Sequence, residues 1–340
     1  MEETIVVDNE IILGSEICMS SNARLDASVA YFVVCKKGQH LIGGIDAYNQ
    51  LIAGEKIISW VARACEKTKV LEINDYQSEI DAVIPCLGQS EYVVILKGNV
   101  PLVTKHSINS VLNFAMQRNM NACKLKCGYI FRTEYLKEVG RVMSADCYNL
   151  SSNDFLEVVD FESLSFARSE ISKRIYAYHS KNGVDFSSFD IGAIDANVQI
   201  GYNTKLESDA RVLESSKILN GCKIGQSSSI RGAFLKDNVF VGQNSVIINS
   251  VLGNGCKIGD GVIIKNSKIG DGVVVDDGTR LLSSEIFAGA KINALCDIKD
   301  TKINQGAEVG TMSKLYKTEI DEKFVVFNGK VLIKKSEDEK

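Results

Sequence analysis

Histidine is scarce in this chain: His40, His106 and His179 are the three in 340 residues, and none follows position 179. The second half therefore has no imidazole to serve as a general base. The ten cysteines include no Cys-x-x-Cys pair, and Cys123 and Cys127 stand apart from other ligand types, so the common zinc spacings are missing. They are read as reduced, mostly buried thiols. No window approaches the roughly 18 uninterrupted apolar residues of a membrane span. The start, Met1-Glu2-Glu3-Thr4, lacks the basic-then-apolar layout of a secretion signal, and a cytoplasmic location is expected. A formal net charge of −4 gives no global basic field, so neither nucleic acid nor a membrane is expected as the main partner.

What is abundant is aliphatic residues placed at a fixed interval. Ile218, Leu235, Leu252, Ile269, Ile286 and Ile303 are 17 residues apart throughout. A second series, Ile224, Val241, Ile258, Val275, Ile292 and Val309, follows six residues later, and a third, Ile230, Ile247, Ile264, Leu281 and Ile298, six later again. Neither an amphipathic helix nor a hairpin meander gives steps of 6, 6 and 5. A chain wound into a triangular coil does, with one aliphatic side chain pointing inward from each short strand and coils stacked at ~4.8 Å.

Gly221, Asn238, Gly255, Gly272, Gly289 and Gly306 recur at the same interval, as corners with positive φ require. Ser216, Ala233, Ser250, Ser267, Ser284 and Thr301 form a column of small residues suited to hydroxyl-to-backbone bonding in a tight turn. Upstream, Ile194, Ile200, Leu206 and Val212 keep strict sixes. The pattern predicts a left-handed parallel β-helix of hexapeptide repeats over residues 191–313, about six to seven coils. Cys222 and Cys256 occupy equivalent positions two coils apart, roughly 9–10 Å, too far for a disulfide.

Residues 154–183 are expected as a linking helix, with Phe161, Leu164, Ile171, Ile175 and Tyr178 near one face and a stop at Asn182-Gly183. Residues 314–340 are expected as a C-terminal hairpin, Phe324-Val-Val-Phe and Val331-Leu-Ile around Asn328-Gly329, followed by a charged tail. Open solenoid ends are sheet edges, and the hairpin would cover one. Residues 1–153 alternate strands with helices: a run through Val33-Val34, a helix over Glu55 to Lys67, a buried strand in Glu91-Tyr-Val-Val-Ile-Leu, and a helix from Ser107 to Arg118 with a serine cap. That order predicts an α/β, Rossmann-like parallel sheet. Asn99-Val-Pro-Leu follows a strand's carboxyl end, where such sheets bind ligands.

Several stretches resemble one family. Tyr92-Val-Val-Ile-Leu-Lys-Gly-Asn-Val-Pro-Leu-Val-Thr looks like a strand ending in G-D-V-P-L-I-T, and Gln50-Leu-Ile-Ala-Gly-Glu-Lys is similar to H-P-L-A-G-K-P. Lys126-Cys-Gly-Tyr-Ile-Phe resembles N-T-G-I-Y, and Glu157-Val-Val-Asp-Phe-Glu-Ser-Leu resembles G-V-N-D-R-x-x-L. These motifs belong to the bacterial bifunctional UDP-N-acetylglucosamine pyrophosphorylase / glucosamine-1-phosphate acetyltransferase family, sugar-1-phosphate nucleotidyltransferases that carry a left-handed β-helix. The resemblance runs in order over residues 30–310 and implies a side-by-side homo-trimer through the β-helix. Residues 1–29 have no match in it and are expected to supply extra strands or an oligomer contact.

The departures from the family concern chemistry. A nucleotidyltransferase holds a triphosphate on backbone amides and cations and neutralises it with Mg²⁺. The segment Cys35-Lys-Lys-Gly-Gln-His stands at the family's G-x-G-T-R-M loop and keeps only Gly38, with His40 near the arginine position and Ala47 near a later lysine. Asn99 occupies the family's metal-binding aspartate position and Val159 its metal-binding asparagine position. The uracil-contacting Q-L-G-T-A-H-A motif has no equivalent between Glu79 and Gly88.

No catalytic or metal-binding residue is therefore assigned, and Mg²⁺ is implied only if nucleotidyl transfer survives. The ligand-binding candidates are Lys37, Gly38, Asn99 and Gly128, facing a sugar phosphate or uridine nucleotide. Against them stand plain readings: solvated lysines at Lys36 and Lys37, a turn cap at Asn99, surface histidines at His40 and His106. Two functional readings stay open. One is a diverged nucleotidyltransferase-like protein with weak or lost catalysis that retains a sugar-nucleotide or assembly role. The other is a non-catalytic β-helix scaffold or regulatory subunit partnering an active paralogue.

Overall fold

The computed structural model describes residues 29–65, 68–74, 77–139, 146–147, 153–187 and 192–334. The expectation for residues 1–29 and that of a charged tail after Lys334 fall essentially outside them. The chain divides into two compact units, Met1–Arg174 and Ile175–Lys340.

In the first unit the strands β1 (Val29–Lys36), β2 (Lys69–Ile73), β3 (Tyr92–Lys97), β4 (Ala122–Leu125), β5 (Gly128–Arg132) and β6 (Asp146–Cys147) form one sheet in the order β6-β4-β5-β3-β1-β2. β1 pairs parallel with both β2 and β3, while β5 runs antiparallel between β3 and β4. Alternation of side chains across a strand explains why the central strands read as continuous apolar runs. Val33, Cys35, Val94 and Leu96 face α1 (Ile57–Ala64) and α3 (Lys105–Gln117). Phe32, Val34, Val93 and Ile95 face α2 (Glu79–Val83) and α4 (Thr133–Val139) on the other side.

The cap of α3 differs from the sequence expectation. Thr104 is the capping residue, its Oγ1 accepting from the Ser107 amide at 3.1 Å while the Thr104 amide donates to Ser107 Oγ at 2.9 Å. Ser107 is the far half of a capping box, so two orphan donors are satisfied reciprocally and the helix begins two residues earlier. The helix expected over Glu55 to Lys67 is shorter, because Glu55 and Lys56 pair with Leu51 and Ile52 in a small antiparallel ribbon.

The linking helix is α5 (Phe161–Lys181). Asp160 caps it: the Ser163 amide donates to its Oδ1 at 2.8 Å, and these Ser163 bonds hold the Asp160 carboxyl below the usual range. Leu164, Ala167, Ile171 and Ile175 are buried along one stripe, whereas Phe161 is 66% exposed. Gly183 closes the helix with φ +84°, its amide donating to Ser180 O.

The second unit is the left-handed β-helix, with three parallel sheets of nine, eight and eight strands. Each inward column of the sequence pairs in register, for example Ile247 with Ile264 and Ile264 with Leu281. These residues are fully buried. All three corner columns take positive φ, including Gly255 and Gly272 at +65° and Asn238 at +58°. The hydroxyl column forms a ladder: Ser267 Oγ donates to Lys265 O at 2.8 Å and accepts from the Ser284 amide at 3.1 Å.

The solenoid is longer than the sequence boundaries suggested. It starts at Asp185–Phe186, paired with Lys205–Leu206, and runs to Val331–Ile333. The C-terminal hairpin is corrected: Val325–Val326 pairs parallel with Glu308–Val309, and Val331–Ile333 pairs parallel with Lys314–Tyr316. Asn-Gly between two apolar runs suits a hairpin turn and a coil corner alike. Here Gly329, at φ +68°, stands in the corner column with Met312, and Ile320, Val326 and Leu332 extend the three inward series.

Candidate ligand crevice of the α/β unit

The carboxyl ends of β1 and β3 open onto a crevice bounded by the loop after Lys36 and by the segment Glu157–Val159. The sequence placed Asn99 and Val159 at paired positions, and the fold brings these segments together. Asn99 is buried, its Nδ2 donating to Val158 O at 3.0 Å while its own carbonyl accepts from the Val158 amide at 2.8 Å. The Val159 amide donates to Ser163 Oγ at 3.0 Å. Asn99 thus clamps two chain segments.

Beside it, Lys97 Nζ donates to both carboxylate oxygens of Glu157, at 2.9 and 3.0 Å. Burial opposes the Lys97 charge, but the bonds to Glu157 and its negative charge outweigh this and raise the lysine pKa. The pair stands across the crevice, and with Cys35, His40, Tyr48 and Asn99 it leaves a cavity of about 20 Å³. That is room for about one water. A nucleotide site commonly spans about 300–1,000 Å³.

Lys37 and Gly38 are likewise engaged. Lys37 pairs with Glu72 at 3.2 Å on the surface. The Gly38 amide donates to Asp46 Oδ1 at 2.8 Å, and Tyr48 OH donates to Asp46 Oδ2 at 3.1 Å. An anion does sit on this loop amide, supplied by the chain's own short ribbon, Leu41–Ile42 against Ile45–Asp46. Burial first, and then the Asp46 carboxylate, push the Tyr48 phenol pKa up. Burial, with Glu72 and Asp46 nearby, raises the Cys35 thiol to about 12, which makes it unreactive at neutral pH.

These donors do not fit Mg²⁺, which demands an octahedron of hard oxygens, usually including a carboxylate. Asn99 offers an amide already bound to Val158 through its nitrogen, Val159 offers none, and both oxygens of Glu157 accept from Lys97. Among the described residues no cluster of three or more His, Cys, Asp or Glu side chains could hold a metal.

Gly128 lines a second, larger cleft of about 560 Å³ on the same edge. Its glycine identity has a packing reason, since a Cβ there would lie 1.9 Å from Ile95 O in the neighbouring strand. The cleft is lined by Lys36, Lys97, Lys124, Lys126, Glu79 and Tyr129, among others. Lys97 is neutralised by Glu157, and Lys36 approaches Glu79 at 4.0 Å. Lys124 and Lys126, on the β4–β5 hairpin, give the cleft its positive balance. Sequence reasoning missed Lys97, Glu157 and Asp46; the only available signal was a lysine ending the strand before Gly98-Asn99.

The architecture is a mixed α/β, Rossmann-like unit and a left-handed β-helix. Residues 188–269 match the family described as GMPPB C-terminal domain. The bifunctional protein GlmU of Enterococcus faecalis is 31% identical over 114 residues, 33% of this chain and 24% of that protein. GlmU of Lactobacillus helveticus is 33% identical over 110 residues, 27% of this chain and 24% of that protein. The chain is similar to these GlmU proteins over about a third of its length or less, and it spans about a quarter of theirs. A UDP-N-acetylglucosamine acyltransferase structure from Francisella novicida is 13% identical with a TM-score of 0.26, covering 38% of this chain and 60% of that one. Among the described residues no helix is long and apolar enough to cross a membrane.

Proposed function

We propose that this protein binds a phosphorylated ligand, a sugar phosphate or uridine nucleotide, in the lysine-lined cleft and does not transfer a nucleotidyl group. The observation that carries this reading is the internal occupation of the reaction crevice: Asp46 on the Gly38 amide, and Glu157 closed onto Lys97. A triphosphate would have to displace the first carboxylate and would find no free hard ligand for its metal. Lys124 and Lys126 attract phosphate as point charges and need no metal to do so. The protein then serves in an assembly, with the β-helix as the contact; three copies side by side is the arrangement the family resemblance implies.

Calorimetric titration with UTP, UDP-N-acetylglucosamine and N-acetylglucosamine-1-phosphate, with and without Mg²⁺, tests this. The expected result is saturable binding that is indifferent to Mg²⁺, weaker in Lys124→Ala/Lys126→Ala, and without pyrophosphate release from UTP and sugar phosphate. Turnover with pyrophosphate release overturns the loss of catalysis. No heat at millimolar ligand overturns the binding role and leaves the scaffold reading.

A further inference from the structure

The three side faces of the solenoid carry their charges differently. On the nine-stranded face Lys205, Lys223 and Lys291 each pair with a carboxylate one coil away, Asp185 at 3.8 Å, Glu207 at 2.9 Å and Glu308 at 3.6 Å. On one eight-stranded face Lys302 pairs with Glu319 at 2.9 Å. The third face, whose strands run from Arg211–Leu213 to Val331–Ile333, lacks such pairs in its middle coils. Its outward positions hold Lys265, Arg280, Lys299 and Lys314, one cation from each of four consecutive coils, alternating between the two outward columns. All four are exposed, and among the described residues none forms an ion pair.

The nearby carboxylates are engaged elsewhere. Asp297 is the single acid at the outward strand positions of this face, and its Oδ2 accepts from Tyr316 OH at 2.6 Å. At the corner leading in, Asp260 and Asp277 accept from the amides of Gln243 and Asp260, at 2.7 and 2.8 Å. Between and above the cations lie Val246, Ile248, Ile263 and Leu282, all half-buried. In register, Leu282 separates Lys265 from Lys299, and Ile263 neighbours Arg280. The result is an aliphatic floor crossed by a zigzag of unneutralised cations, and like charges on nearby strands repel.

We propose that this face docks an acidic polypeptide segment of a partner protein, one that places carboxylates between apolar residues and runs along the solenoid axis. Charge complementarity carries the choice: the stripe is positive on a chain whose net charge is −4, so it selects anions locally. Two copies of this face set against each other would oppose cation to cation. A nucleic acid would satisfy the cations but leave the aliphatic floor unmatched, and Tyr316 is the one ring at these outward positions on which a base could stack. A lipid surface fits poorly too, because the aliphatic side chains lie half-buried among protruding cations and do not reach an acyl layer. A peptide's own apolar side chains can come down to that floor. From Val246 to Tyr316 the five coils cover about 20 Å at ~4.8 Å per coil, the length of about six extended residues or about thirteen helical ones. This inference concerns the solenoid alone and is independent of the lysine-lined cleft.

The test is a fluorescence-anisotropy titration of a labelled peptide of Glu-Ala-Leu repeats with the full chain. The face variant is Lys265→Gln/Arg280→Gln/Lys299→Gln/Lys314→Gln. The control, Lys205→Gln/Lys223→Gln/Lys291→Gln/Lys302→Gln, makes the same change in net charge on the other two faces. The face variant is expected to bind about tenfold more weakly than the control, the loss of several exposed ion pairs together. Ile263→Ser/Leu282→Ser is expected to weaken the Glu-Ala-Leu peptide and leave polyglutamate unchanged, while Lys124→Ala/Lys126→Ala changes neither. Equal weakening in the face variant and the control overturns the proposal, since net charge alone then explains binding. So does tighter binding of oligo-dT or of phosphatidylserine vesicles than of the peptide, or no binding of the peptide at millimolar concentration. Should the face variant unfold, amine acetylation of the parent decides: the peptide is expected to shield Lys265, Lys299 and Lys314, and shielding spread over all three faces overturns the assignment.

Discussion

The two units solve the same problem, burying an aliphatic core, with opposite uses of the sequence. In the solenoid the buried side chains from Ile218 to Ile320 pair with residues 17 positions away, after first coils that pair at 18. In the α/β unit the decisive contacts span irregular distances: Gly38 to Asp46, Asn99 to Val158, Lys97 to Glu157. The solenoid's stability is therefore a sum over neighbouring coils, while the sheet unit stands or falls on contacts made once. A repeated contact can be lost in one coil and survive in the next. A contact made once has no second copy, and the crevice is built of such contacts, with the chain's own carboxylates against the Gly38 amide and the Lys97 ammonium.

The largest effects separate the two modes directly. Ile95 and Ile264 are both fully buried, and Ile→Ala at either is expected to cost about 3–4 kcal/mol. Hydrogen exchange should reveal the difference in spread. Ile95→Ala is expected to raise exchange throughout the sheet, and Ile264→Ala mainly in the coils on either side. Uniform loss across the solenoid would erase the contrast.

A somewhat smaller effect follows acid. His179 is 2% exposed near the end of α5, its Nδ1 has no hydrogen-bond partner among the described residues, and burial holds its pKa at about 4 rather than 6.5. The folded state keeps this imidazole neutral while the unfolded chain binds a proton below pH 6.5. Stability is therefore full above that pH and declines as pH falls, the loss approaching about 3 kcal/mol once pH passes the folded value. Urea titrations between neutral pH and pH 4.5 should show this slope in the parent and lose most of it in His179→Leu. A slope that survives the substitution assigns it to other groups.

The smallest effects lie at the corners and sharpen the account of the repeat. A Cβ on Gly259 would meet Asp277 Oδ1 at 2.2 Å and its amide at 2.8 Å, so Gly259→Ala is expected to cost about 2 kcal/mol. Gly255 has open space around it and φ +65°, so alanine there costs about 1 kcal/mol through backbone strain alone. Gly255→Asn should cost less still, because Asn238 already holds the equivalent corner at φ +58°. Thermal melts of the three variants check the order.

Much of the fold was legible, for reasons that differ along the chain. The 17-residue interval declares itself because every coil restates the same local geometry, so the columns, the positive-φ corners and the hydroxyl ladder all follow from the sequence. The end was misread where local chemistry is ambiguous: Asn328-Gly329 obeys the rules for a hairpin turn, and only the continuation of the columns through Ile320, Val326 and Leu332 makes it a corner. In the α/β unit the strands and helices were legible from their periods. The start of α3 was misplaced because Thr104 and Ser107 are both good caps.

The sequence by itself determined the coil, its interior and its corners, and it put Asn99 just past the carboxyl end of a strand, where such sheets bind ligands. Only the tertiary structure decided what stands in the crevice. The ion pair of Lys97 with Glu157 joins residues 60 apart, and the Asp46 carboxylate reaches Gly38 only because a short ribbon folds back on the loop. A periodic core is written in one dimension because each layer contacts its neighbours at a constant offset. A charge pair between distant segments carries no period, and it exists only once the sheet has brought its partners together.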